Sequence, residues 1–411
     1  MKKQLISFLL IITIIFSCSA QALTYSARGV CVLELESGDV YAEKNADTAY
    51  VPASLTKIMT LYILFEMLDN GEITKDTLVT ASLNAQKQSK VSDASNIPLT
   101  AGHSYTIDDM IKAMCLPSAC AVCTMFAEFV SGSEEEFALL MNKKSAELGL
   151  ACYFTDASGL SDYNRVTPRS VAQLVRLFIQ KYPDILNYTS LKNATLNGKV
   201  YENTNLLLSE KKFYEGADGF KTGTTTLAGK CLAATAKRND TRIVSITMGS
   251  STNNTRYSDA KEALDTGFMQ AEYFNTNIFS TDIRTYINEK EIPCHYFLGK
   301  TKSLLLRAED LQNYGFDLIY TPEDNTVYLS FNNQKEATPI ASEENKVSGN
   351  PVYKMYTLSK PRVVLLAEDC CIEFKTVYST NGYCFIDVDE LARNFDYVWN
   401  NDNRSANISV K

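Results

Sequence analysis

Histidine is nearly missing from this chain: only His103 and His295 stand among 411 residues, far apart and without metal-ligand spacing to acids or cysteines. Their scarcity argues against a Ser-His-Asp triad and against a zinc site built from imidazoles, and it brings lysine forward as a base. A basic excess is missing too. The 40 lysines and arginines face 48 aspartates and glutamates with no basic cluster, so nucleic acid is not an expected partner. Beyond the N-terminus no run is long and apolar enough to span a bilayer, so any membrane attachment would be peripheral. Cys115, Cys120 and Cys123 lack a second cysteine pair at zinc spacing; neither a metal nor a cofactor is expected.

At this length the chain calls for about two or three domains. Residues Met1 to Ala22 read as an export signal: Lys2 and Lys3, an apolar stretch from Leu5 to Phe16, then Ala20-Gln21-Ala22, which predicts cleavage after Ala22. Lipidation at Cys18 is the competing reading. Either way the mature protein works outside the cytoplasm. Ten cysteines remain after cleavage, several inside apolar runs such as Lys230-Cys231-Leu232-Ala233, and they are expected to be mostly free and buried.

Gly29 to Glu36 and Val40 to Glu43 alternate as a hairpin around Ser37-Gly38-Asp39. From about Asp69 to Tyr214 the pattern is mainly helical. Thr106 caps one helix, the apolar run Met110 to Val130 breaks at Leu116-Pro117-Ser118, another helix runs Glu134 to Leu148, and Thr167-Pro168 opens a further one. Then the period changes. Phe220 to Thr224, Lys230 to Lys237 and Arg242 to Met248 read as antiparallel strands, and Arg256 to Phe268 as a last amphipathic helix. The expected fold class is α+β, its sheet assembled from both ends of a domain spanning 23–275.

Residues 276–411 differ in texture. Leu304 to Ser330 and Cys384 to Val410 each read strand, short helix, aromatic-Asp, strand, so two similar repeats are expected at about 283–333 and 360–411, joined by a polar linker from Gln334 to Asn350.

Pro52-Ala53-Ser54-Leu55-Thr56-Lys57 opens a helix-patterned run. If Ser54 lies in the first helical turn, its hydroxyl and the Lys57 amine share one face within hydrogen-bond reach. Such a lysine is a base only if burial or a nearby cation holds it neutral. Two later stretches supply partners: Pro117-Ser118-Ala119-Cys120 at the helical break, and Asp218-Gly219-Phe220-Lys221-Thr222-Gly223-Thr224-Thr225 entering the late strands. Ser-x-x-Lys, a Ser-x-Asn-like word and Lys-Thr-Gly in this order resemble the low-molecular-mass penicillin-binding proteins, the serine D-alanyl-D-alanine carboxypeptidase family. Val51 to Thr60, Asp156 to Leu160, Asn203 to Leu207 and Ala228 to Cys231 are similar to family words as well. The resemblance covers about Thr24 to Phe274.

It implies a penicillin-binding, β-lactamase-like transpeptidase fold, an antiparallel sheet with a helical subdomain. It also implies the roles. Ser54 would be the nucleophile, Lys57 its base, and Ser118 a proton relay to the leaving D-alanine. Lys221, Thr222 and Thr224 would hold the substrate carboxylate, Gly223 would let the substrate backbone approach, and the amides of Ser54 and Thr224 would form the oxyanion hole. Arg256 matches an arginine near the family's last helix and is a further substrate-binding candidate. Cys120 departs from the pattern, because most members have Asn there; the family tolerates Cys, and the substitution bears on turnover and on the choice between water and amine.

The activity implied is removal of the terminal D-alanine from peptidoglycan stem peptides at the bacterial cell surface, with β-lactams as inhibitors. Transpeptidation and a catalytically weak wall-binding protein are the alternatives. A β-lactamase is disfavoured, since no Glu-x-x-x-Asn lies between Ser118 and Lys221. The C-terminal units resemble small repeated domains found at the N-terminus of some copper amine oxidases. They lack a histidine cluster, so no copper is implied, and a wall-binding or spacer role is expected.

Overall fold

The computed structural model describes residues 25–275 and, beyond them, 277–280, 284–292, 296–298, 304–321, 326–332, 351–354, 362–367, 370–373, 377–380, 383–388, 391, 395–400 and 405–409. The expected signal segment, Cys18 and the Gln334 to Asn350 linker lie outside the described residues. Contacts separate two compact units, one ending at Ala271 and the other beginning at Glu272.

The first unit is built on a five-stranded antiparallel sheet of β1 (Gly29–Glu34), β2 (Val40–Lys44), β3 (Ala217–Thr225), β4 (Gly229–Arg238) and β5 (Thr241–Ser250), in the order β2-β1-β5-β4-β3. The N-terminal hairpin joins the C-terminal strands through β1 and β5, with Val32 opposite Ser245. β3 is left at the edge, with Lys221 opposite Ala233 on β4.

Strand residues alternate between two apolar cores, which is the period-two consequence of a pleated strand. Cys31, Leu33, Ala233, Val244 and Ile246 enter the larger core with the helices; Val30, Val32, Leu232, Ala234 and Ile243 enter a second core. That second core is closed by α6 (Asn253–Asn275), whose Tyr257, Ala260, Ala263 and Leu264 belong to it. Gly267 sets how closely α6 can approach. A β-carbon there would lie 2.5 Å from Ile243 Cγ2 and 3.0 Å from Val32 Cγ1.

The larger core gathers α1 (Lys57–Asp69), α2 (Ile107–Cys115), α3 (Cys120–Ser131), α4 (Glu134–Glu147) and α5 (Pro168–Lys181). α1 is buried from Lys57 to Phe65, as expected of a helix that is apolar all round. Side-chain caps open α2, α4 and α5: Thr106 accepts from the Asp109 amide, Ser133 from Glu136 and Thr167 from Ser170. α2 stops at Cys115 and α3 starts at Cys120, so the expected break at Leu116-Pro117-Ser118 is present.

Three short ribbons interrupt the helical middle: Leu78–Thr80 with Ser104–Thr106, Cys152–Tyr153 with Arg165–Val166, and Asn193–Leu196 with Lys199–Glu202. The sequence reading missed them because strands this short carry too few residues for alternation to register. It also began α6 three residues late, at Arg256.

In the second unit, the hairpin Phe316–Thr321 and Thr326–Phe331 runs alongside Arg362–Ala367, which pairs with Cys370–Glu373. The hairpin Asp396–Asn400 and Ser405–Ser409 runs alongside Arg284–Ile287, which pairs with Lys290–Ile292. Both four-stranded sheets have the same order of pairings. The expected short helix after Leu304–Arg307 is the 3-10 segment Ala308–Tyr314; residues 389–390 and 392–394 of its expected counterpart lie outside the described residues.

Candidate active site

Ser54 lies in a 3-10 turn, Ala53–Thr56, and α1 begins only at Lys57. Ser54 and Lys57 still meet: Lys57 Nζ is 3.1 Å from Ser54 Oγ. Two glycines allow this turn to be gripped from both sides. A β-carbon on Gly223 of β3 would lie 2.8 Å from the Pro52 carbonyl oxygen, and one on Gly159 would lie 1.9 Å from the Ala53 carbonyl oxygen. Ala53 itself has φ +48°, and Ser118, at the break between α2 and α3, has φ +64°. Non-glycine residues in this left-handed region cost about 1–3 kcal/mol and persist where packing over-determines them.

Lys57 is completely buried and makes two further contacts, to the Ser158 carbonyl oxygen at 2.7 Å and to Cys120 Sγ at 3.3 Å. Cys120, the first residue of α3, is placed by its own amide, which donates to the Ser95 carbonyl, and by the next amide, which donates to Asn96 Oδ1. Burial disfavours charge on Lys57, whereas negative charge on Cys120, Cys123 and Asp156 lifts its pKa, and the net direction is upward. The sulfur part of that lift exists only while a thiolate stands there. Burial pushes the Cys123 thiol far up, so at neutral pH it is uncharged and adds nothing to that lift.

Lys221 on β3 is the second buried cation. Burial first, and the Lys57 charge second, lower its pKa to about 7. Near neutrality Lys221 is therefore the amine that gives up its proton first, while Lys57 keeps its own. Thr222 Oγ1 shares a 2.7 Å hydrogen bond with Thr204 Oγ1. Thr224 Oγ1 accepts from Arg256 Nη2 at 3.1 Å, and Arg256 also donates to Asn253. Arg256 is only 6% exposed, so it is a buried cation. Its Nε, and the Ser118 hydroxyl, are buried without a hydrogen-bond partner among the described residues.

The structure thus bonds Ser54, Lys57 and Cys120 directly, and ties Thr224 to Arg256. Sequence reasoning missed the Ser158 carbonyl and Thr204. Asp156-Ala157-Ser158-Gly159 carried a turn signal, but a backbone carbonyl has no side-chain signature in sequence. Cys31, Cys115, Cys120, Cys123, Cys152 and Cys231 are free, five of them buried. Cys294 lies outside the described residues, and the side chains of Cys370, Cys371 and Cys384 are not described. Among the described residues no group of three or more His, Cys, Asp or Glu side chains is placed to hold a metal.

Residues 17–252 match the family model described as D-alanyl-D-alanine carboxypeptidase. The chain is 34% identical over 287 residues to the D-alanyl-D-alanine carboxypeptidase DacF of Bacillus subtilis, a match covering 66% of this chain and 72% of that protein. It is 32% identical over 254 residues to DacC of Escherichia coli, covering 61% of this chain and 63% of the relative. Among solved structures it is similar to penicillin-binding protein D2 of Listeria monocytogenes in its ampicillin-bound form. There the identity is 29% and the TM-score 0.52, over 60% of this chain and 99% of that one.

Proposed function

We propose, from the premise that this chain belongs to the D-alanyl-D-alanine carboxypeptidase family of serine-type peptidases, that it removes the terminal D-alanine from peptidoglycan stem peptides through an acyl-enzyme. The observation that carries the reading is the fully buried Lys57 amine 3.1 Å from Ser54 Oγ, with the Lys221 cation beside it.

A substrate carboxylate bound at Lys221, Thr222 and Arg256 favours the charge on Lys221, and that charge in turn favours the neutral amine at Lys57. Lys57 then takes the Ser54 proton as Oγ bonds to the carbonyl between the two D-alanines. The amides of Ser54 and Thr224 stabilise the oxyanion, worth about 3 kcal/mol per donor in comparable sites. As the C–N bond breaks, the proton passes through Ser118 to the departing amine. Water, activated by the same groups, hydrolyses the ester and restores Ser54. Penicillins acylate Ser54 by the same first step; the ampicillin-bound Listeria relative supports this.

Release of D-alanine from a pentapeptide ending in D-Ala-D-Ala tests the activity, and no release by the wild-type protein would refute it. A second reading, transpeptidation, is favoured by Cys120, since a thiol offers weaker hydrogen bonds than an amide for holding Lys57 and the attacking water. Consumption of an added acceptor amine in place of water would select it.

We read residues 1–22 as an export signal cleaved after Ala22, which would carry the enzyme out of the cytoplasm. Among the described residues no helix is long and apolar enough to cross a membrane, which is compatible with a peripheral or wall-associated protein. The identical pairing order of the two C-terminal four-stranded sheets supports a pair of repeats there. We assign them to wall binding or spacing; a protein truncated after residue 275 that binds purified wall as tightly as the whole would exclude binding.

A further inference from the structure

The turn that presents the Ser158 carbonyl to Lys57 is organised by one carboxylate. Asp156 accepts from the Ser158 hydroxyl at 2.7 Å, from the Gly159 amide at 2.9 Å, from the Leu160 amide at 2.9 Å, from the Ser158 amide at 3.3 Å and from the Asn164 side-chain amide. Successive backbone N–H groups directed at one side chain curl the chain into a tight turn. The outer side of the turn is pinned as well. The Ala157 amide donates to Glu134 Oε1 at 3.1 Å, and the Ala157 carbonyl accepts from Thr60 Oγ1 of α1 at 2.7 Å. Asn164, held by Asp156, also reaches Thr56 Oγ1 at 3.4 Å, inside the nucleophile turn.

We propose that Asp156 is a positioning residue for the reaction: its carboxylate folds the 156–160 turn so that the Ser158 carbonyl holds Lys57 Nζ against Ser54. The inference rests on the serine-peptidase reading and extends it to a residue that does not touch the substrate.

The geometry explains how a residue that does not touch the substrate acts on the base. Lys57 has no acid in hydrogen-bond contact; its partners are a hydroxyl, a thiol and a carbonyl. The carbonyl partner orients the lone pair, since with two of its neighbours fixed the amine has one remaining direction, toward Ser54. The groups bearing on Lys57 are Cys120 and Cys123 from α3, Lys221 from β3 and Asp156 from this turn, with Glu134 behind Asp156. Cys123 is neutral near neutral pH, and the Asp156 carboxylate is the least of the influences that raise the Lys57 pKa.

The test compares acylation rates with fluorescent penicillin across neutral to alkaline pH for the full chain and for Asp156→Asn and Asp156→Ala. Asp156→Asn keeps an acceptor oxygen and removes the charge. Its maximal rate should stay within about tenfold of wild type, and the rising limb of its pH profile should move to lower pH, because Lys57 loses a stabilising anion. Asp156→Ala removes the acceptor, and its maximal rate should fall roughly a hundredfold. If Asp156→Ala does not fold, the Asp156→Asn limb decides alone. Unchanged rates in Asp156→Ala, or an Asp156→Asn profile without a shifted limb, would overturn the proposal. A wild-type protein that is not acylated would overturn the serine-peptidase reading itself, and this inference with it.

Discussion

Lys57 Nζ lies 3.3 Å from Cys120 Sγ, so the lysine proposed as the base rests against a thiol. A thiol holds the amine by weaker hydrogen bonds than an amide would, and unlike an amide it is an ionisable group.

The substitution Cys120→Asn separates these effects. Asn supplies a donor and an acceptor and cannot become an anion. Acylation by penicillin should persist in this variant, while the turnover of the acyl-enzyme changes, measured as the rate at which bound label is released. Loss of labelling would show that Cys120 serves the first step.

Gly159→Ala should damage the site through contact alone. The new methyl would collide with the Ala53 carbonyl at 1.9 Å, and Gly159 has φ +86°, where a side chain is strained. A loss of more than about 2 kcal/mol of stability is expected, along with slower penicillin acylation. Chemical denaturation and labelling check the two together.

Lys221 predicts a pH dependence of stability. Its pKa in the fold is about 7, lowered first by burial and then by Lys57. In the unfolded chain it holds its proton up to the ordinary lysine value of about 10.4. Between those limits the unfolded state binds more protons, so the Lys221 contribution grows as pH rises and is lost as pH falls back toward 7. Lys221→Met should therefore melt above wild type most clearly near neutral pH, with the gap narrowing at alkaline pH. A gap independent of pH would mean that Lys221 is not titrating there.

Much of this site was legible because its side chains sit at fixed chain spacings. Ser54 and Lys57 are three apart, and the 3-10 turn between them changes the local helix type without separating the groups. The late strands were legible by period, and the break at Pro117 by chemistry. What escaped the sequence depends on tertiary approach. The Ser158 carbonyl reaches Lys57 across 101 positions, and Arg256 reaches Thr224 across 32. The burial of Arg256 exists only once α6 packs on the sheet.

The most direct test of the account is covalent labelling of the full chain with fluorescent penicillin, followed by peptide mapping of the modified residue. The account predicts one label, on the peptide carrying Ser54, lost in Ser54→Ala and strongly slowed in Lys57→Ala. A folded wild-type protein that takes up no label, or one labelled at Cys120 with Ser54 unmodified, would contradict it.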